Sequence, residues 1–512
     1  MSEPISRRQA LSLLAGVGAV ALAGGAGCFK PVPTRPTDLG LSSLGRQLSL
    51  TNATVIDVTR GAALPGKAIL VGDGLIQGVY DAGAPELAQA QPVDCHGTYM
   101  IPGLINAHCH LNLPSTMTVG SGELGMAQEQ IFRNYEDAIG WGITTARDMG
   151  ALPKIIARDR EAINHGSLPG PRILTAMSVI TVPNGYPDFI VDVNWLVKAM
   201  IGEPNLRVKN AAEARDAVKN VRDHGADLVK IAFDHRSFLY GRGRLDVLTD
   251  AEVEAIRNEA DKCGLPVAAH HLYSMGLDRG LQFGVHSLEH VVTDVPLTDA
   301  QVRMILDAKM RFVPTILVGI SLAFKSTGDP FNDDPLINEV LRWREEVQLA
   351  ELPRHCTPAI REKSKSLKHY YEAEEYALKK NRSVVSINPK EATRLLVVAA
   401  KNLKRLIAEG AILGAGNDSG VPFDFPGMLH LELEMLARQG MTNAQALRAA
   451  TLVNAEICGL KDKCGSIAAG RWADLVLLKA NPLEDIRNTA GVQAVFKHGR
   501  LVSKADDFKV PT

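Results

Sequence analysis

His108 and His110 close the apolar run Ile101-Pro-Gly-Leu-Ile-Asn-Ala-His-Cys-His. On a β-strand, residues i and i+2 share a face, so both imidazoles aim at one point and suit one metal ion. Such a pair alone is more often a surface or hydrogen-bonded pair. Four further polar residues change the reading, because each ends a strand-like apolar run of its own. They are Lys230 in Ala226-Asp-Leu-Val-Lys-Ile, His270 in Leu265-Pro-Val-Ala-Ala-His, His290 in Val285-His-Ser-Leu-Glu-His, and Asp418 in Ala411-Ile-Leu-Gly-Ala-Gly-Asn-Asp.

Neutral imidazoles and a carboxylate are ligands for zinc-like ions, whereas a lysine ammonium is a cation and repels one. Lys230 fits such a cluster as a carbamate, formed when its amine adds carbon dioxide, since the two oxygens of that anion can bridge two metals. Two divalent ions about 3.5 to 4 Å apart share a hydroxide, lower its pKa and polarise a carbonyl. Asp418 then acts as a ligand and as the base that moves the hydroxide's proton to the leaving group. Asp418, Lys230 and His290 form the expected catalytic set. The alternative for Lys230 is a snorkelling or salt-bridged lysine.

These residues need a frame that brings five separate strand ends together. From about residue 100 to 455, strand-like runs alternate with helical patterns such as Asp250 to Cys263 and Asp299 to Ala308. Further runs end at Asp148, near Ile180 and near Thr315, so the pattern predicts eight βα units and a (β/α)8 barrel. In a barrel the C-terminal strand ends face one opening, where catalytic groups collect. The flanks, 48–100 and 465–508, instead alternate apolar and polar residues with turn signals, and predict one small discontinuous β-sandwich built from both chain ends. The barrel is expected over 101–464, with a long insertion at 319–405 that reads as a lid, an oligomer contact or a solvated helical hairpin.

The 512 residues carry 56 basic and 57 acidic side chains, and no field favours nucleic acid or an anionic membrane. A small molecule is the expected partner. The first 28 residues are set aside from the fold: Arg7-Arg8, the apolar stretch Ala10 to Ala26 and Gly27-Cys28 describe an export signal of twin-arginine character, followed by a Pro-rich linker over 29–47. The chain is therefore expected to be exported, periplasmic or lipid-anchored at Cys28, its one expected tie to a membrane. The seven cysteines lack CxxC spacing, which argues against a structural zinc knot, and nothing requires Cys458 and Cys464 to pair.

The ordered motifs resemble the amidohydrolase superfamily, and within it the imidazolonepropionase-like and Xaa-Pro-dipeptidase-like metal-dependent hydrolases. They are Pro102-Gly-Leu-Ile-Asn-Ala-His-Cys-His, Gly142-Ile-Thr-Thr-Ala-Arg-Asp-Met-Gly, Gly225-Ala-Asp-Leu-Val-Lys-Ile, Val267-Ala-Ala-His, Ser287-Leu-Glu-His and Gly416-Asn-Asp-Ser-Gly, with Gly465-Ser-Ile-Ala-Ala-Gly-Arg-Trp-Ala-Asp-Leu-Val beyond the barrel. The resemblance implies that His108, His110 and Asp418 hold one metal, that His270 and His290 hold the second, and that carbamylated Lys230 bridges them, zinc being the expected ion. It also implies a homo-oligomer. His270 rather than His271 matches the family histidine, and His96, His286 and His430 read as solvated or core residues. Where relatives carry Gly-Gly-His this chain has Tyr186, and Asn417 replaces the usual Thr before Asp418. Arg236, Tyr240 and Arg242 follow the Lys230 strand and are candidates to meet a substrate carboxylate. The expected activity is cleavage of an amide in a dipeptide or N-acyl amino acid. The alternatives are hydrolysis of a cyclic amide, lactone or phosphotriester, and a metal-binding scaffold without catalysis.

Overall fold

The computed structural model describes residues 39–115, 124–150, 152–188, 199, 201–237, 244–324, 333–372 and 389–509. The export segment with Cys28, and Tyr240 and Arg242, lie outside them. No helix among the described residues is long and apolar enough to cross a membrane.

Four strands open the chain: β1 (Gln47–Asp57), β2 (Ala62–Gly72), β3 (Leu75–Asp81) and β4 (Gln91–Pro102). The barrel strands follow: β5 (Leu104–Cys109), β6 (Ile143–Asp148), β7 (Arg172–Thr175), β8 (Val179–Thr181), β9 (Asn205–Arg207), β10 (Val229–Ala232), β11 (Val267–His270), β12 (Ser287–Glu289), β13 (Arg311–Val313) and β14 (Ile412–Leu413). The last three are β15 (Leu475–Leu478), β16 (Val492–Lys497) and β17 (Arg500–Lys504).

The barrel consists of two parallel sheets, ordered β5-β6-β7 and β14-β13-β12-β11-β10-β8-β9. Neither closes on itself; backbone hydrogen bonds join them at both seams. At one seam the Ala107 amide donates to Ala415 O (3.0 Å), Asp418 to His108 O (2.9 Å) and His110 to Ser419 O (2.8 Å). Gly416 permits that approach, because a Cβ there would lie 2.6 Å from the His108 nitrogen. At the other seam β7 and β8 are two halves of one strand interrupted at Met177, whose φ is 60°; Ala176 donates to Asp148 O and Asp227 to Thr175 O. The result is a (β/α)8 barrel, its outer helices buried on one stripe and capped by side chains, as where Thr249 and Glu252 form a capping box on Asp250–Cys263.

Both chain ends build the small β domain as one seven-stranded sheet, β17-β16-β15-β4-β1-β2-β3, with β4 paired to β1 on one side and β15 on the other. Its two faces obey the period of two. Leu475, Leu477 and Met100 enclose one apolar core with Leu48, Leu50 and Phe496, while Val476, Leu478 and Ile101 face the barrel's core. The sheet curves until β3 and the turn before it meet the segment leading into β15: Ala473 donates to Gly74 O, and Gly470 to Ile76 O. The two layers expected of a sandwich thus come from one folded sheet, bent at the β1 irregularities between Leu50 and Val55.

The insertion is helical and packed. Its described parts include Pro335–Trp343, Leu349–His355, Pro358–Glu372 and Pro389–Ala408. Asn402 fixes the last of these to the loop after β12, donating to Val292 O (2.8 Å) and Val295 O (2.9 Å) and accepting from the Leu297 amide (2.9 Å).

Candidate metal centre at the barrel mouth

His108, one residue before the end of β5, has Nε2 3.2 Å from Asp418 Oδ1, and His110 Nε2 lies 3.2 Å from the same oxygen. Across the opening, His270 Nδ1 and His290 Nε2 are 2.9 Å apart. His108, His290 and Asp418 place ligand atoms within 4.8 Å of one another. Two of these residues occupy left-handed backbone, His290 at φ 75° and Asp418 at φ 55°. A non-glycine residue holds that conformation only where the surroundings impose it. Asn417 imposes it after β14: its amide donates to Asp424 Oδ1 (2.6 Å) and Phe425 O (2.8 Å), and its oxygen accepts from Asn106 (2.7 Å).

Every one of the four imidazoles has its outer nitrogen occupied. His108 Nδ1 meets Glu289 Oε2 (2.8 Å), His110 Nδ1 meets Gly150 O (2.6 Å), His270 Nε2 meets Asp234 Oδ2 (2.9 Å) and His290 Nδ1 meets Thr315 Oγ1 (2.6 Å). Such partners fix ring orientation and leave the inner nitrogen as the donor. The partners are anchored in turn. Arg147, fully buried inside the barrel, donates to Glu289 Oε1 (2.8 Å), Ser287 Oγ (3.2 Å) and Ala107 O (2.6 Å). Asp234 Oδ1 accepts from the Leu272 amide (2.9 Å). Glu432 accepts from the Ile316 and Leu317 amides (3.1 and 2.8 Å) and so holds the turn that presents Thr315.

Lys230 lies 4% exposed, and its Nζ has no hydrogen-bond partner among the described residues. Burial pushes its ammonium down to about 8, against the pull of Glu289 and Asp418. Burial, with Lys230 beside one ring and His270 beside the other, holds His270 and His290 well below the usual imidazole range, hence neutral. Burial works against the charged form of Glu289, yet Arg147 and His108 keep it well below the carboxylate range.

Beside the centre opens a pocket lined by Tyr186, His270, His290, Thr315 and Asp418 at its polar end. Tyr186 stacks on His270 with ring centroids 4.0 Å apart and 15° between planes. His271 turns away, its Nδ1 on Glu289 O (3.0 Å). Cys109 also faces away, with Sγ toward Arg147 O. Arg236 is exposed; its Nε donates to His235 Nε2 (3.2 Å), its guanidinium carbon sits 5.0 Å above the Tyr273 ring, and it is not among the pocket's lining residues. His430 sits away from the centre in a buried cluster with Glu351, His355 and Trp141.

Sequence reasoning missed Glu289, Asp234, Arg147 and Thr315. Glu289 was visible only as the residue before His290, and its inward direction follows from strand alternation: with Ser287 it faces the barrel interior.

The donor set fits divalent metal: four oriented neutral-capable imidazoles, one carboxylate, and a buried amine with no hydrogen-bond partner among the described residues. A parallel barrel carrying that set at its strand ends defines a metal-dependent hydrolase of the TIM-barrel class. The sequence profile of the amidohydrolase family matches residues 99–328 and 331–502, and the chain belongs to that family. Over 80 residues it is 42% identical to an adenine deaminase of Shewanella halifaxensis (strain HAW-EB4), a match to 16% of this chain and only 13% of that relative's length. Solved structures of the same fold include a Xaa-Pro dipeptidase with bound methionine in the active site, 22% identical, with TM-score 0.66 over 89% of this chain and 99% of that one. Another is the ochratoxinase of A. niger, 20% identical, with TM-score 0.66 over 90% and 96%.

Proposed function

We propose that this chain is a binuclear metal-dependent amidohydrolase that cleaves the amide bond of a dipeptide or an N-acyl amino acid. The observation that carries the reading is the orientation of four imidazoles by four separate outer partners, with the inner nitrogens of His108 and His110 on Asp418 and those of His270 and His290 on each other, beside a buried Lys230 amine that has no partner among the described residues. His108, His110 and Asp418 would hold one ion, His270 and His290 the other, and Lys230, as its carbamate, would join them. Bound there, two divalent ions, zinc by the chemistry of the donors, would supply Lewis acidity for water and for the scissile carbonyl.

The protein's own groups do the rest. Asp418 accepts a proton from the attacking water and passes it to the amide nitrogen, so that the C–N bond breaks as the amine leaves and the water's oxygen ends in the new carboxylate. His108 and His110, despite burial, hold its carboxyl well below the usual range, so it is ionised and carries no proton of its own when the water arrives. Tyr186, packed flat on His270, covers one face of that ring.

The reading includes export to the periplasm or anchoring at Cys28, supported by Arg7-Arg8, the apolar stretch after them and Cys28. Elemental analysis for metal per chain, together with hydrolysis of a mixed Xaa-Pro, Xaa-Lys and N-acyl amino acid library, tests the activity. Two metals with release of an amino acid is the expected result; one or none, with no release, overturns it.

A further inference from the structure

We propose that the apolar end of the pocket is the subsite for the substrate's acyl group, and that the substrate is an N-acyl amino acid with a bulky apolar acyl chain rather than a dipeptide. The proposal rests on the amide-hydrolase reading above and narrows it. The pocket runs from His270, His290 and Asp418 to a wall made by the insertion. On the helix Pro389–Ala408, Ala392, Leu395, Leu396 and Ala399 line it. That spacing of three and four residues is a single helix face. Val318 and Leu322, on the short helix after β13, complete the wall.

Charge decides which half of a substrate enters. No lysine or arginine lies among the described residues that line it, so an amino acid's carboxylate placed against that wall would be buried without a cation from them, at a cost of several kcal/mol. A dipeptide's free α-ammonium on the acyl side would meet the same apolar wall. An acyl chain with no charge meets neither penalty, and each methylene it buries adds about 0.8 kcal/mol. The carbonyl carbon of that chain then sits at the polar end, beside the residues that carry the reaction.

The wall is rigid enough to select size. Asn402 pins the helix three residues beyond Ala399 through three hydrogen bonds. Thr393 donates to Phe324 O (3.1 Å) near its start. Beside the cavity Gly319 packs directly on Leu396, where an added Cβ would lie 3.2 Å from Cδ1, so the two helices touch there without slack.

The test uses the full chain with N-acetyl- and N-octanoyl-amino acids, the matching dipeptide, and octanoate and acetate as unreactive ligands. The expected wild type prefers octanoyl over acetyl and over the dipeptide by at least about tenfold in kcat/KM. Ala399→Phe, which fills the pocket, is expected to lower the octanoyl-to-acetyl ratio at least about tenfold. Calorimetry of octanoate against acetate on the wild type needs no variant to fold; octanoate binding at least about tenfold tighter supports the subsite. Equal binding of the two, or a wild type that prefers acetyl or the dipeptide, overturns it while leaving amide hydrolysis intact. If no acyl amino acid is hydrolysed yet octanoate binds tightly and loses affinity in Ala399→Phe, the reaction assignment fails and the apolar subsite stands.

Discussion

Glu289 touches His108 with one oxygen and Arg147 with the other, and both contacts are out of solvent's reach. Removing one partner of a buried ion pair leaves the other charged and unpaired, which typically costs about 3–5 kcal/mol. Glu289→Ala is therefore expected to lower unfolding free energy by about 3–5 kcal/mol in urea titrations; a change under about 1 kcal/mol would mean that Arg147 finds another partner. Glu289→Gln keeps the shape and loses the charge, and chelator competition should show metal held about 10- to 100-fold more weakly. Lys230→Ala is expected to lose one or both metals and nearly all turnover; elemental analysis showing unchanged metal content removes it as the bridge. At this scale the inward-pointing residues were legible because each ends an apolar run and belongs to a type that binds metal. Asp234, Arg147 and Thr315 were not, since nothing in a run such as Ile143-Thr-Thr-Ala-Arg-Asp tells which polar side chain turns into the barrel and which turns to a helix.

The insertion was legible as an interruption between β13 and β14 but not as a wall. Its attachment depends on contacts distant in sequence. His355, at the end of Leu349–His355, meets Asp137 (2.9 Å) on the helix Leu124–Gly140 and lies 3.6 Å from Glu351. Glu351 also binds His430 (2.8 Å) on the helix Leu429–Arg438. Trp141 stacks on both rings, with centroids 4.8 and 4.6 Å away. Burial opposes a charge on His355, but Asp137 and Glu351 outweigh it and raise its pKa to about 9. Because the folded value lies above the unfolded 6.5, this contribution to stability is complete below about pH 6.5 and lost as pH rises through about 9. Comparing melting temperatures of the wild type and His355→Gln from pH 6.5 to 10 checks it. The wild-type advantage should shrink toward pH 10, and one that grows instead would place the proton elsewhere.

For the whole molecule, the alternation of βα units revealed the barrel, and turn-rich flanks revealed a β domain from both ends. That its layers form one continuous sheet was hidden, because curvature arises from local shifts in register such as that between Leu50 and Ala53, which no residue pattern marks. The proposed export belongs to this scale as well. Replacing Arg7 and Arg8 by lysine should leave the protein in the cytoplasmic fraction with its metals and activity unchanged; recovery from the periplasm at the wild-type level would refute a twin-arginine route.

The pairing of β4 with β15, in which Met100 lies opposite Leu477, also sets a clock. Translation at about 5–20 residues per second separates the two strands by tens of seconds. Throughout that interval β4 has β1 on one edge and no neighbour on the other, with Ile101 awaiting its cover. Such an open apolar edge is a site for mispairing and chaperone capture, so slowing synthesis late in the message should lower the yield of native enzyme more than slowing it early.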